Sequence, residues 1–277
     1  MTEGPEPVAA GNGMSGGPEP VASSNGMSGG PEPVAAGNEG RPAGPSMRVL
    51  SYNVHRWGDD REALARVVKA CAPDVMLVQE APTWWGTRRK REAMAATFGL
   101  RYIAASARNA ILVADGIDLA DPLHWRVWRP FVRRRFRFIA TQLPGGSVGG
   151  RTSLGGVPLA LIVCHLGLHI RGRQHELEQV LQGCKSFNLP YLLVGDLNEE
   201  PGGPVWDRLA AEGLTDLGVD AGNTFHSDNP VKRIDGAHLS PGLAGRVIPL
   251  ETIEGITRPD LATGSDHLPM LVELTLP

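Results

Sequence analysis

Cysteine, net charge and long apolar runs are all scarce in this chain, and each shortage excludes something. The 277 residues contain three cysteines, Cys71, Cys164 and Cys184. The number is odd and the contexts are apolar or helical, so neither a disulfide framework nor a zinc-ligand spacing emerges. That usage suits a reducing, cytoplasmic compartment. The most apolar stretch, Val157 to Ile170, is too short to span a bilayer and holds two histidines. No basic start followed by an apolar core opens the chain, so no secretory signal is expected. The net charge of −3 is divided unevenly, because residues 1–46 carry −4 and leave about +1 for the rest. A near-neutral domain gives no support for strong non-specific binding to a polyanion.

What is present begins with a repeat. Gly-Pro-Glu-Pro-Val-Ala starts at Gly4 and recurs at Gly17 and Gly30, a period of 13. Each unit has almost nothing to bury and cannot offset its ordering entropy, so residues 1–46 are expected to be a disordered Gly/Pro-rich tail. Residues 47–277 are then one folded domain with room for a sizeable core. Hydrophobic periodicity predicts strands at Met47–Val54 and Val75–Val78, separated by an amphipathic helix over Arg61–Ala72 that Pro73 ends. A helix over Arg88–Phe98 and strands at Tyr102–Ala105 and Ala110–Ala114 follow. Phe136–Leu143 and Val157–His165 read as a hairpin joined by the Gly-rich loop Pro144–Gly156. Helices over Arg173–Phe187 and Gly203–Glu212 flank a strand at Tyr191–Gly195. Further strands are expected at Gly236–Leu239, Arg246–Thr252 and Leu268–Leu274. Helices fill only some gaps between strands, so a mixed, largely antiparallel α/β layered fold is expected rather than a doubly wound parallel sheet.

Several apolar runs end in a polar group that can hold a divalent metal or a phosphate. The segments are Leu50-Ser51-Tyr52-Asn53, Leu77-Val78-Gln79-Glu80, Val163-Cys164-His165-Leu166, Val194-Gly195-Asp196-Leu197-Asn198 and Gly264-Ser265-Asp266-His267. Strand ends in a packed α/β protein are rigid places to converge ligands from distant positions. Asn53, Glu80, Asp196, Asn198 and Asp266 are hard oxygen donors without an accompanying cysteine, a chemistry that suits Mg²⁺, with Mn²⁺ as the alternative. His165 and His267 can donate to a phosphoryl oxygen or handle protons. A metal, an orienter for water and donors for developing charge are the parts that phosphate-ester hydrolysis needs.

With Arg233-Ile234-Asp235 added, this set resembles the endonuclease/exonuclease/phosphatase superfamily in order and spacing over essentially all of Met47 to Pro277. The resemblance implies a four-layer α/β sandwich, two mixed β-sheets packed face to face and flanked by helices. It implies Glu80 as the principal metal carboxylate, with Asn53 and Asp266 as direct or water-mediated ligands. Asp196 matches the residue that orients or deprotonates the attacking water, and Asn198 the amide that holds phosphate or a second metal. His267 matches the histidine beside the scissile phosphate, Asp235 its carboxylate partner, and His165 a second phosphate-facing histidine. Asn109, before a strand, matches a phosphate-side amide. Asp196 and His267 both stand as candidate general bases. The implied partner is a phosphate-ester substrate (nucleic acid, phospholipid or phosphorylated small molecule), and the chain is expected to be a monomer.

Taken singly, these residues have plainer readings. Asn53 could be a turn residue, Glu80 a solvated acid, Asp196-Leu197-Asn198 an Asx turn, and Asp235 a partner of Arg233. Jointly they favour catalysis. The alternative from another class is a binding or scaffold protein that keeps the fold without turnover; no core position carries an inert residue in its favour. Arg173 could reach the cleft, with a solvated helix face as the plainer reading. The run Trp125 to Arg137 reads as an edge strand whose arginines face water, with a polyanion or lipid contact as the sharper reading. Trp84-Trp85, followed by the basic stretch Arg88 to Arg91, gives a modest hint of anion binding.

Overall fold

The computed structural model describes residues 44–83, 86–127 and 145–277. The tail reading falls almost wholly outside these residues, as do the strand expected at Phe136–Leu143, Trp84-Trp85 and most of the Trp125–Arg137 run. Two six-stranded sheets carry the fold. The first orders its strands β11 (Ala244–Ile248), β12 (Met270–Thr275), β1 (Ser46–Asn53), β2 (Val75–Gln79), β4 (Asn109–Val113) and β3 (Arg101–Ser106). The second runs β5 (Ala120–Val127), β6 (Gly145–Leu154), β7 (Val157–His165), β8 (Tyr191–Asp196), β10 (Asp235–Leu239) and β9 (Thr215–Asp216). Each sheet holds one parallel pair, β1 with β2 and β7 with β8, among antiparallel neighbours. Both parallel pairs are joined by a helix, α1 (Arg61–Cys71) in the first sheet and α3 (Ile170–Ser186) in the second.

Side-chain alternation explains the layering. Along β7, Leu159, Leu161 and Val163 face the other sheet and pack with Val49, Leu77 and Ile111. The intervening Ala160, Ile162 and Cys164 face α3 and α4 (Pro204–Ala211), meeting Leu177, Val180 and Leu209. Period-two side chains on a strand buried on both faces therefore feed two separate cores. On the far side of the first sheet, Leu50, Met76 and Leu112 pack with α1, α2 (Thr87–Phe98) and α5 (Arg258–Gly264). The order is helices, sheet, sheet, helices, a four-layer α/β sandwich. Asp60 caps α1, its Oδ1 accepting from the Glu62 and Ala63 backbone N–H at 3.0 Å each. Cys71, Cys164 and Cys184 are buried and free. No helix among the described residues is long and apolar enough to cross a membrane.

The expected hairpin is corrected. The Gly-rich stretch from Gly145 is not a loop: Gly145–Leu154 forms β6, the hairpin partner of β7. Glycine carries no hydrophobic alternation, so the strand left no periodic trace. It is used here for proximity, since a Cβ on Gly150 would lie 2.1 Å from Leu119 Cδ2. β9 and α5 are likewise elements that the periodicity did not reveal, and β5, at the sheet edge, overlaps the expected edge strand only over its last residues from Trp125.

Candidate active site

Register across three neighbouring strands creates the centre of the site. His165, the last residue of β7, pairs with Asp196, the last of β8, and Asp196 pairs with Asp235, the first of β10. Gly195 makes this alignment feasible, because a Cβ there would sit 1.9 Å from the Cys164 carbonyl oxygen. Only glycine permits such an approach without displacing the strand.

Asp196 is the hub. Its Oδ1 accepts the Asn198 backbone N–H at 2.9 Å. Its Oδ2 lies 3.1 Å from Asn53 Nδ2, 3.4 Å from His165 Nε2 and 3.7 Å from His267 Nε2. Burial pushes the Asp196 carboxyl up; His165 draws it back, Asp235 adds to the rise, and His267 and the Asn198 N–H oppose it. Asn198 itself sits at φ 52°, a left-handed conformation that Asn tolerates, and its Nδ2 donates to the Leu166 carbonyl at 2.8 Å.

His267 is held from behind. Its Nδ1 lies 2.9 Å from Asp235 Oδ2, and the Phe225 ring packs against the imidazole with centroids 4.9 Å apart. Burial pulls this imidazole down, but the charge and hydrogen bond of Asp235, with the charges of Asp196 and Asp266, outweigh it and raise it to about 10. His267 is therefore an imidazolium at neutral pH, with Nε2 directed toward Asp196. Asp235 does not pair with Arg233, whose guanidinium instead meets Asp216 at 2.7 Å and stacks 4.4 Å from the Trp206 ring centroid.

The raised His267 has a consequence for stability. A group raised from 6.5 to about 10 contributes stability that is fully present below 6.5 and lost as pH rises through 10. The gap in Tm between the wild type and Asp235→Asn is therefore expected to shrink steadily from pH 7 to pH 10. A gap independent of pH in thermal denaturation would remove His267 as its source.

The first sheet supplies the other wall. Asn53 ends β1 opposite Gln79, the last residue of β2, so Glu80 follows immediately beside it at φ 52°. Asn53 Oδ1 accepts the His55 backbone N–H at 3.1 Å, and the Asn53 carbonyl accepts from Ser265 Oγ at 2.6 Å. Glu80 Oε2 lies 3.2 Å from Arg56 Nε and 3.8 Å from Arg108 Nη1. Asp266 Oδ1 lies 4.0 Å from His55 Nδ1, which bonds Asp59 at 2.8 Å. His55, Arg56 and Trp57 all have positive φ, an uncommon run for residues with side chains.

The structure thus brings Asn53, His165, Asp196, Asp235 and His267 into direct contact, with Asn198 bound to Asp196. Asp266 lies beside His55, whose N–H bonds Asn53, and Glu80 follows the β2 end opposite Asn53, with Arg56 and Arg108 at its carboxylate. Asn109 is buried; its Nδ2 donates to the Gly146 carbonyl and its Oδ1 has no hydrogen-bond partner. Asp196, Asp235 and His267 also present potential metal-ligand atoms that all lie within 4.8 Å of one another. His55, Asp59, Arg56 and Arg108 were missed from sequence, although His55 and Arg56 follow Asn53 so closely that the strand-end signal covers them. The basic α2 start is largely accounted for locally. Arg91 is buried and bonds the Pro82 and Ala107 carbonyls, while Arg88 pairs with Glu92 at 2.7 Å.

The fold is shared with known proteins. The pattern of the Endonuclease/Exonuclease/phosphatase family matches residues 50–267. A Bacteroides thetaiotaomicron protein of that family superimposes with a TM-score of 0.67 at 19% identity, covering 84% of this chain and 99% of the other. A mannosyl-6-phosphatase from the same organism gives 0.65 at 20% identity, with 83% and 100% covered. The human Nocturnin catalytic domain with bound sulfate gives 0.65 at 16% identity, with 84% and 94% covered. No curated protein matches the chain in sequence. At these identities the structural likeness speaks for the fold, and the family pattern spans most of the chain: this protein belongs to the Endonuclease/Exonuclease/phosphatase family.

Proposed function

We propose that this chain is a divalent-metal-dependent hydrolase that cleaves phosphate esters by in-line attack of water on phosphorus, with diesters, nucleic acids included, ahead of monoesters. Members of the family are phosphoester hydrolases and generally depend on a divalent metal. The observation that carries the reading is the convergence of Asn53 Nδ2, His165 Nε2 and His267 Nε2 on Asp196 Oδ2, within 3.1 to 3.7 Å. Three donors gathered around one anionic oxygen form a set that can equally hold the non-bridging oxygens of a phosphoryl group.

Each role follows from the local chemistry. His267, kept charged by Asp235, donates to a phosphoryl oxygen and stabilises charge that develops there. Being protonated up to about pH 10, it is not free to take a proton from water. That leaves Asp196 as the acceptor that orients and deprotonates the nucleophile. Asn198 and His165 bind the remaining phosphoryl oxygens, and Asn109 is assigned to the phosphate side of the cleft. The catalytic unit is assigned to residues 47–277, acting as a cytoplasmic monomer with the Gly/Pro-rich tail outside it.

Glu80, Asn53 and Asp266 fit a divalent ion by the chemistry of the set, all being hard oxygen donors. Glu80 and Asp266 keep 16% and 27% of their side-chain surface exposed, and both already attract cationic groups. Arg56, 60% exposed, can withdraw from the Glu80 oxygen to make room. His267 is the weaker candidate ligand, because the imidazolium that Asp235 favours has no free lone pair to offer a metal. When bound, Mg²⁺ or Mn²⁺ supplies Lewis-acid polarisation of the phosphoryl oxygen.

The test is a substrate panel of plasmid DNA, RNA, a phospholipid, a sugar phosphate and a chromogenic diester, with Mg²⁺, Mn²⁺ or EDTA. Turnover is expected with either metal, is abolished by EDTA, and is equal for the full chain and residues 47–277. Glu80→Gln is expected to weaken Mg²⁺ binding by at least ~10-fold in calorimetry. Unaltered metal affinity in that variant, with turnover equal to wild type, overturns the assignment.

A further inference from the structure

We infer that Arg173, Glu199 and Glu176 form a buried positioning device that sets the two phosphate-facing loops, after β7 and after β8, relative to each other. The inference rests on the phosphoester reading, in which His165 and Asn198 face phosphate. Arg173 was expected on a solvated helix face, yet it is 8% exposed, as is Glu199, and Glu176 is 1% exposed. Arg173 Nη1 donates to the Leu168 carbonyl at 2.8 Å, three residues beyond His165. Its Nη2 donates to Glu199 Oε1 at 2.9 Å, and Glu199 is the residue after Asn198. Glu176 Oε2 accepts the Gly167 backbone N–H at 2.6 Å. The Leu166 N–H donates to the Asp196 carbonyl at 2.9 Å, and the Leu166 carbonyl accepts from Asn198 Nδ2 at 2.8 Å. Leu166 is thus tied to the Asp196–Asn198 loop and Gly167 to the buried Glu176 one turn along α3 from Arg173.

The second oxygen of Glu199 does a separate task. Its Oε2 accepts the Val205 N–H at 2.6 Å in the first turn of α4, and the Glu199 carbonyl accepts from Trp206 Nε1 at 2.8 Å. Gly203 leaves room for this carboxylate, since a Cβ there would meet Glu199 Cδ at 2.6 Å. One glutamate therefore links α4, the β8 loop and Arg173 on α3. An arginine in the first turn of a helix opposes the helix dipole. A buried ion pair also commonly adds no stability over apolar residues of the same volume. Stability alone gives little reason for this arrangement, whereas the geometry it imposes on His165 and Asn198 does.

The experiment uses the full chain with Mg²⁺ and the chromogenic diester, comparing Arg173→Met, Arg173→Lys and Glu199→Gln, alone and combined with Asn198→Ala. Arg173→Met is expected to lower kcat by ~10- to 100-fold, because a misplacement of about 1 Å remote from the chemistry costs up to ~10²-fold. Mg²⁺ affinity stays at the wild-type value, and Arg173→Lys recovers part of the rate. Combined with Asn198→Ala, the losses are less than multiplicative, as for residues acting through one unit. Should Arg173→Met fail to fold, Glu199→Gln, which keeps an acceptor for α4, serves in its place. Multiplicative losses, or a rate that simply follows the folded fraction, overturn the inference. If the wild type turns over nothing in the panel, side-chain NMR still decides. His165 and Asn198 signals that move in the variants support positioning, and unmoved signals refute it.

Discussion

Asp196→Asn is expected to lower kcat by about three orders of magnitude while the fold and the Mg²⁺ affinity persist. The substitution keeps the side-chain shape and an acceptor for the Asn198 N–H, now 2.9 Å from Oδ1. What it removes is the charge on which Asn53, His165 and His267 converge, and with it the proton acceptor. General-base catalysis typically contributes about 10²- to 10⁴-fold, and the loss of charge alignment falls in the same step. Steady-state kinetics on the chromogenic diester, with Mg²⁺ titration calorimetry as control, measure the effect. A variant within tenfold of the wild type in kcat would return the general-base role to another group.

Asp235→Asn is expected to produce the largest change in pH dependence. The carboxylate 2.9 Å from Nδ1 is the foremost group raising His267, which otherwise titrates near 6.5. In the wild type the imidazolium persists to about 10, so kcat/KM should hold through pH 9 before its alkaline limb falls. Without Asp235, burial acts with much less opposition, and the limb moves down toward neutrality. At pH 8 to 9 the variant is expected to lose ~10²- to 10³-fold in kcat/KM, the usual effect of deleting one donor to a developing oxyanion. At pH 5.5 the gap narrows. The sign separates the two roles open to His267. As a base it would be inactive until deprotonated, so Asp235→Asn would raise activity at neutral pH. A faster variant at pH 7 would therefore sink the assignment of His267 as donor.

Some of this was legible before any coordinates. The strands ending at Asn53, Gln79, His165 and Asp196 were readable because β-branched and apolar runs stop abruptly at a polar group, and β7 was bounded correctly at Val157 and His165. Helix α1 announced itself through its apolar stripe and Pro73. Other features were not readable for physical reasons. The β6 strand is rich in glycine, which has no side chain to alternate. Arg173 lay on a periodic helix whose polarity pattern places a charge but not its partner. Arg233, two residues away, offered Asp235 a plain local partner, although the resemblance already paired Asp235 with His267, and the two lie 2.9 Å apart. Asp216 and His267 each provided a better partner from elsewhere in the chain.

The sequence by itself determined the membership and order of the strand-end residues, because local periodicity fixes where a strand stops and which side chain stands there. Tertiary structure decided which of those residues meet. Asn53 and Asp196 are 143 positions apart, and they touch only because the two sheets close on a shared apolar core. The same closure sets His267 against Asp235, whereas packing of α3 and α4 on the outer face of the second sheet buries Arg173 against Glu199. A charge set by burial and by distant partners is a property of packing, and packing is not written in any local stretch of the chain.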